Sequence, residues 1–382
     1  MATASRETLL TPAFVALTVA ELLYFTAAGV LLAATPLFAR DDLRAGETAI
    51  GLALGAFSAS TLLLRPFAGR WSDRHGRRRL LVGGCVLFAV VVLGHLLVHS
   101  VVALVGLRLL LGCAEAAFFV ASFAALADLA PPDRTGEALS LNSLALYLGI
   151  AAGPGLAQVA IRVDGFRGAW LTAAALAAVA CLLAVRVPET NPEASETAGR
   201  LIHPAALGPG SALAAGLAAS AAFLGFGVLY ARDVGLAPWA LAPLVFGGTV
   251  VVLRIALRSV PDRTDPARLT AMALAVDAAA LLALGLWSAP AGVIAGALLL
   301  GLGTTLITPA VFATVLSRVP PGERGSAVAT TSLFIDLGLT GGPVGLGLVA
   351  AYSGVGGAFA WWAALPAVAA IAVLARPQRR AT

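Results

Sequence analysis

Lysine is absent from this chain: all 25 of its basic residues are arginine. Phosphate-cradling loops that need a lysine, Schiff-base chemistry and any other lysine-dependent catalysis are thereby excluded. Charge of either sign is scarce, at 12% of residues, against roughly a quarter in soluble proteins. Asparagine and glutamine occur twice each (Asn142, Asn191, Gln158, Gln378), too few hydrogen-bonding amides for a sugar site. The three cysteines, Cys85, Cys113 and Cys181, lie in apolar segments without metal-ligand spacing and read as small packing residues. There is no Gly-x-Ser-x-Gly elbow, no zinc signature and no dinucleotide fingerprint on a strand, so the sequence points away from an enzyme and calls for no cofactor. His95 and His99 have the i, i+4 spacing that can share a metal, but no carboxylate or cysteine accompanies them. They read as an interfacial pair, and no metal is expected.

What fills the chain instead is apolar: 59% of residues are hydrophobic and the mean hydropathy is +0.93. Such a surface needs a bilayer as its solvent. Spans of roughly 20–25 residues fit near 11–37, 47–68, 79–98, 101–128, 136–161 and 168–186, then 206–230, 238–258, 268–287, 290–316, 325–351 and 356–375. The first apolar segment far exceeds a signal-peptide core and reads as a retained helix. The net charge of +5 does not indicate nucleic acid, because the arginines sit in short loops. With both termini cytoplasmic, 17 arginines fall on the inner side and 5 on the outer, as the positive-inside rule requires. The expectation is a multi-pass protein of the cytoplasmic (inner) membrane.

The chain also repeats itself. Sliding it by 189 residues places Arg65 on Arg254, Asp73 on Asp262, Arg74 on Arg263 and Arg79 on Arg268. The same shift places Pro131-Pro132 on Pro320-Pro321, Gly149 on Gly338 and Gly153-Pro154 on Gly342-Pro343. One ungapped offset serving several loops and helices implies two six-helix halves in parallel repeat. Residues 1–187 form the first half, 188–205 a cytoplasmic linker and 206–382 the second half.

The densest motif is Gly69-x-x-x-Asp73-Arg74-x-Gly76-Arg77-Arg78-Arg79, between spans 2 and 3. It closely resembles the signature loop of the major facilitator superfamily, and Asp262-Arg263 with Arg268 is a degraded second copy. Arg108-x-x-x-Gly112-x-x-Glu115 in span 4 and Gly149-x-x-x-Gly153-Pro154-Gly155 in span 5 are similar to that family's fourth- and fifth-helix motifs. The latter belongs to proton-linked antiporters, especially the twelve-helix drug-efflux branch; its further glycines are replaced here by Ala157 and Gln158. The resemblance implies an all-α membrane protein of twelve transmembrane helices, in two six-helix halves around a central cavity. It implies that Gly69, Asp73, Arg74, Gly76, Arg77 and Asp128 form a conformational latch apart from the substrate site. Gly149, Gly153, Pro154, Gly338, Gly342 and Pro343 read as helix-packing positions, where small residues permit close approach and proline a bend. A monomer is the family's usual condition.

Ionisable groups deep in spans mark function by default. Glu21 lies about ten residues into span 1, which lines the cavity in this family. It can bind a proton, pair with a cationic substrate or serve as a structural acid. Arg108 and Glu115 lie seven apart on one helix face, about 10 Å along the axis, and suit either a structural ion pair or coupling. Asp336 sits in span 11, opposite Tyr147 in the repeat, and faces either the cavity or a neighbouring helix. Asp277 is in span 9, peripheral in the family, where helix packing is the better reading and a cavity-facing position the alternative. Arg65 and Arg254 lie nearer the inner ends and can snorkel. Together these readings favour a proton-coupled secondary transporter exporting a small amphiphilic or apolar molecule by alternating access. Glu21 is the leading carboxylate, with Arg108, Glu115 and Asp336 modulating it. A proton-linked importer or a uniporter is the alternative, and a non-transporting receptor or enzyme is a more distant one.

Overall fold

A long apolar segment can cross a bilayer only with every backbone N–H and C=O paired inside it, which makes a helix the solution for each run above. The computed structural model describes residues 9–131, 134–190, 202–258, 260–320 and 323–375, and leaves out the side chains of Asp73, Thr135, Gly136, Ser140, Asp262 and Gly325. Within the described residues there is no strand. The helices are α1 (Pro12–Asp41), α2 (Glu47–His75), α3 (Arg77–Gly94), α4 (Val101–Leu129), α5 (Thr135–Ala184) and α6 (Pro204–Asp233). They continue with α7 (Leu241–Ala256), the single turn α8 (Val260–Arg263), α9 (Pro266–Leu286), α10 (Pro290–Leu316), α11 (Arg324–Trp362) and α12 (Ala364–Ala375). Most of the linker expected at 188–205 lies outside the described residues, which stop at 190 and resume at 202.

Local chemistry sets several of the ends. Thr11 caps α1 by accepting the Phe14 N–H at 3.2 Å, with Pro12 opening the helix. Asp265 caps α9 by accepting the Arg268 N–H at 2.8 Å, again ahead of a proline. Nine helical runs among the described residues, 21 to 50 residues long, are apolar enough to cross a membrane. Large side chains such as Val102, Val163, Leu182 and Ile371 stand exposed around them, which suits lipid rather than water.

The structure does not separate all the expected spans into individual helices. Spans 5 and 6 form one run broken at Asp164 and Gly165, and spans 11 and 12 one run broken at Gly354. Gly165 (φ 58°) and Gly354 (φ 69°) adopt the left-handed conformation that glycine tolerates, so the chain turns without a loop. Side-chain contacts trace the course. Beyond its middle, α5 meets the C-terminal end of α1, where Phe38 packs on Phe166 and Trp170. Just past α5, the Val185 carbonyl accepts from Arg78 at the start of α3. The α5 run therefore crosses the bundle and returns.

Glycines bring the helices together. Gly149 and Gly153 of α5 lie against the α1 backbone at Leu22, Thr26 and Gly29, leaving no room for a side chain. The repeat-related Gly338 and Gly342 of α11 lie in the same way against Ala214 and Ala218 of α6. These contacts put the packing motif to use at both copies. Three other pairings, α2 with α11, α5 with α7 and α1 with α6, join the first part of the chain to the second. Under the 189-residue offset the first two exchange places.

At the C-terminal ends of α1 and α6 two Arg-Asp dipeptides clasp each other. Arg40 reaches Asp233 at 2.9 Å, and Arg232 reaches Asp41 at 2.6 Å. Each pair is partly exposed and individually weak, but the reciprocal geometry closes this end of the bundle.

The glycine contacts give a direct test. Gly153→Val should destabilise the protein by about 1–3 kcal/mol through overpacking. Gly155→Ala, two residues on where a methyl meets nothing within 4 Å, should be neutral or slightly stabilising. Thermal unfolding of the two variants in detergent compares them directly, and equal melting temperatures would refute the packing account.

Candidate coupling site at the seam between repeats

Tyr24 on α1 anchors the first cluster. Its ring stacks on Phe118 of α4 with centroids 3.9 Å apart and lies 4.5 Å from Phe88 of α3. That stack fixes α1 against α4 and sets Glu21, one turn earlier on α1 and fully buried, alongside Glu115 of α4. Ser122 lies beside Glu21 and Tyr24 beside Glu115, though neither Glu21 oxygen nor the Tyr24 hydroxyl has a partner at ideal hydrogen-bond geometry among the described residues. A charged group deep in a bilayer costs about 2.5–3.5 kcal/mol on insertion scales. A proton is the smallest counter-charge such carboxyls can take.

Glu115 also lies within electrostatic range of Arg65 and Asp336, which leads into a second cluster at the α2–α11 contact. Arg65 Nη2 is 3.1 Å from Asp336 Oδ1, and the guanidinium lies 4.7 Å over the Phe119 ring. Asp336 is 1% exposed, and its other oxygen is unpartnered among the described residues. At the α5–α7 contact, Arg254 Nη2 donates to the Tyr147 hydroxyl at 3.1 Å and lies 4.5 Å over that ring. The offset that maps Arg65 onto Arg254 also maps Tyr147 onto Asp336, so these are two copies of one contact. The snorkelling expected of Arg65 and Arg254 is replaced by reach across the seam, because a partner on the facing helix is nearer than water. Placing Arg65 on Arg254 and Tyr147 opposite Asp336 was the available signal, and it required pairing the two matches crosswise.

Arg108 does not pair with Glu115. Its Nε lies 3.4 Å from the Ala53 carbonyl of α2, and its guanidinium 4.8 Å over Phe57. Gly112 explains the geometry: the Phe57 carbonyl and Ser60 press against it, so α2 comes close enough for Arg108 to find a backbone acceptor. Two turns along the helix, Glu115 is directed at the seam instead.

Asp277 sits where α9, α6 and α10 meet. Its carboxyl, fully buried, fills the space that Gly216 and Gly303 leave open, with both oxygens unpartnered among the described residues. It is therefore at a helix interface. His95 is buried against Trp170, ring centroids 4.9 Å apart, while His99 is exposed, so the two do not form a pair. Among the described residues no group of three potential metal ligands comes together.

The signature loop lies at the opposite end of the bundle from the Arg-Asp clasp. Arg77 is buried, its Nε 3.4 Å from Asp128 Oδ2 and its Nη1 3.0 Å from Ser72 Oγ, tying α3 to α4 and α2. The Asp73 side chain lies outside the described residues, and Arg74 is exposed. Gly76 has φ 92° and packs against the Glu189 carboxylate, so glycine is required there, whereas nothing crowds Gly69. Glu189 also accepts the Arg78 N–H at 3.3 Å, completing the start of α3 from a segment the sequence presents only as polar linker. At the same end, His203 Nε2 meets Glu323 at 2.8 Å and the His203 N–H donates to Thr330 Oγ1 at 2.9 Å, joining α6 to α11.

A multi-pass bundle whose repeat-related helices meet across a seam, through one ion pair and one arginine–tyrosine contact, describes a polytopic membrane protein built on an internal repeat. The Major Facilitator Superfamily profile matches residues 17–343, and the chain belongs to that family. An MFS-type transporter of Pseudomonas aeruginosa is 31% identical over 83% of this chain and 82% of its own length. Multidrug resistance protein 1 of Bacillus subtilis is 28% identical over 84% of this chain and 85% of its own. A bacterial homologue of the human lysosomal transporter Spinster, solved inward-facing and occupied, shares the fold with a TM-score of 0.78. Its identity is 14%, covering 94% of this chain and 95% of that one.

The Arg65–Asp336 pair predicts a measurable coupling. Arg65→Gln or Asp336→Asn alone should cost about 3 kcal/mol, the low end for breaking a buried pair, because Arg65 keeps a fifth of its side chain exposed. The double variant should cost clearly less than the two losses added. Denaturation of all four proteins in one detergent gives the cycle, and strict additivity would remove the pair from the account.

Proposed function

We propose that this chain is a proton-coupled secondary transporter of the cytoplasmic membrane that exports a small amphiphilic molecule by alternating access. Counting the returning α5 and α11 runs twice, together with the short α7, gives twelve crossings. Residues 1–187 and 206–382 would form the two rocking halves, with both termini cytoplasmic. The observation that carries the reading is the pair of buried carboxyls, Glu21 and Glu115, set side by side and leading through Arg65 to Asp336 on the facing half. Protons taken up at Glu21 or Glu115 change the charge that Arg65 faces, and thereby the tie between halves. Arg108 holds α4 to α2 so that Glu115 stays directed at the seam.

The Arg-Asp clasp marks the outer end as closed, and Arg77–Asp128 serves as a latch within the first half at the inner end. Export, in preference to import, is supported by the name of the Bacillus relative. A proton-linked importer or a uniporter would use the same scaffold and differs in the sign or absence of the proton signal.

The test is purified protein in liposomes enclosing a pH-sensitive dye, challenged with lipophilic cations, neutral drugs and organic anions. Exchange predicts that cargo drives proton movement in wild type and that Glu21→Gln or Glu115→Gln abolishes it while cargo still binds. Cargo flux without proton movement in wild type would sink the coupling and bring the uniporter forward.

A further inference from the structure

The two copies of the seam contact differ in one respect that bears on the cargo. Arg65 is matched by a carboxylate, Asp336, whereas the residue facing Arg254 in the same position is Tyr147. The tyrosine hydroxyl accepts one hydrogen bond but brings no charge. Among the described residues Arg254 has no ion pair, and its Nε is buried without a partner. A guanidinium presents a planar fork of donors matched to carboxylate geometry; here Nη2 meets only a neutral hydroxyl, and Nε, like that of Arg65, has no partner among the described residues.

The surroundings are apolar. One turn from Tyr147 lies Ala151, and one turn from Arg254 lies Val250, both buried, with Gly247 packed on Ala151. Because α5 and α7 pack together here, the Arg254–Tyr147 contact borders a packed apolar interface. Arg254 and Tyr147 themselves are half-buried.

We infer that Arg254 and Tyr147 form a binding site for the anionic group, a carboxylate or sulfonate, of an amphiphilic organic anion, which brings the negative charge that Asp336 brings at the other copy. The site rests on the transport reading only in calling this anion the cargo. Arg254 supplies the counter-charge and the donors, Tyr147 the hydroxyl that aims them, and the apolar residues of α5 and α7 the surroundings for the rest of the molecule. The first repeat thus carries its own anion, and the second receives one from outside.

The experiment uses three ligands sharing one ring system: 1-naphthoate, the neutral 1-naphthamide and the cationic 1-naphthylmethylammonium. Their binding to the full-length protein is measured in detergent by calorimetry and by the rise in melting temperature. Naphthoate should bind wild type at least about tenfold more tightly than either relative, the size expected when a charge pair is formed in a desolvated site. That preference should vanish in Arg254→Gln. It should vanish equally in Tyr147→Asp, which gives Arg254 an internal carboxylate and copies the Arg65–Asp336 arrangement. No anion preference in wild type, or a preference surviving in either variant, overturns the site. The assay involves no gradient or flux, so its outcome is independent of whether protons drive transport.

Discussion

An arginine set within an apolar span is stabilised by a partner on a neighbouring helix, and that constraint organises this molecule. Arg65 crosses to Asp336, Arg254 to Tyr147 and Arg108 to a backbone carbonyl on α2, each backed by an aromatic ring. None of these reaches would close if the helices stood at ordinary separation. Glycine at the contact points makes them possible: Gly112 lets α2 approach α4, Gly51 and Gly55 let α2 approach α11, and Gly247 lets α7 approach α5. Close packing and charge placement are therefore one design. Small residues admit the neighbouring helix, and the neighbouring helix brings the partner.

The internal repeat turns this into a device with two unequal copies. In the α1–α5 and α6–α11 contacts the copies behave alike, with paired glycines against a bare backbone. At the seam they diverge, one contact ionic and the other an aromatic hydroxyl. The proposed mechanism uses that divergence: the ion-paired copy responds to protons through Glu115, and the copy whose arginine lacks a counter-charge is left for the cargo. The clasp of Arg40, Asp41, Arg232 and Asp233 is symmetric and joins α1 to α6, whereas the Arg77–Asp128 contact lies within the first part of the chain. The two ends of the bundle are thus held by different contacts.

Much of this was legible in the residues. Apolar run lengths marked the helices, the 189-residue offset pointed to the repeat, and Gly149/Gly153 with Gly338/Gly342 fall at two close helix approaches. Three features escaped for physical reasons. Whether a turn needs a loop depends on one backbone angle, so the Gly165 and Gly354 breaks looked like ordinary connections. Same-face spacing made Arg108 and Glu115 look like partners, but side chains two turns apart choose whatever a third helix offers, and Gly112 had admitted α2. Glu189 read as solvated linker because sequence distance hides that its segment returns to the start of α3. The crosswise pairing of Arg65 with Asp336 was present in the offset, yet it needed knowledge that α2 faces α11.

The account stands on the two halves parting at the clasped end during each cycle. In a background with Cys85, Cys113 and Cys181 replaced by alanine, Asp41→Cys and Arg232→Cys can be bridged by a short bis-methanethiosulfonate, which links the two thiols through reducible disulfides. Cargo flux in liposomes is then followed before bridging, after it, and after reduction. The account predicts that bridging α1 to α6 stops flux and that reduction restores it. Undiminished flux through fully bridged protein would contradict alternating access about this seam.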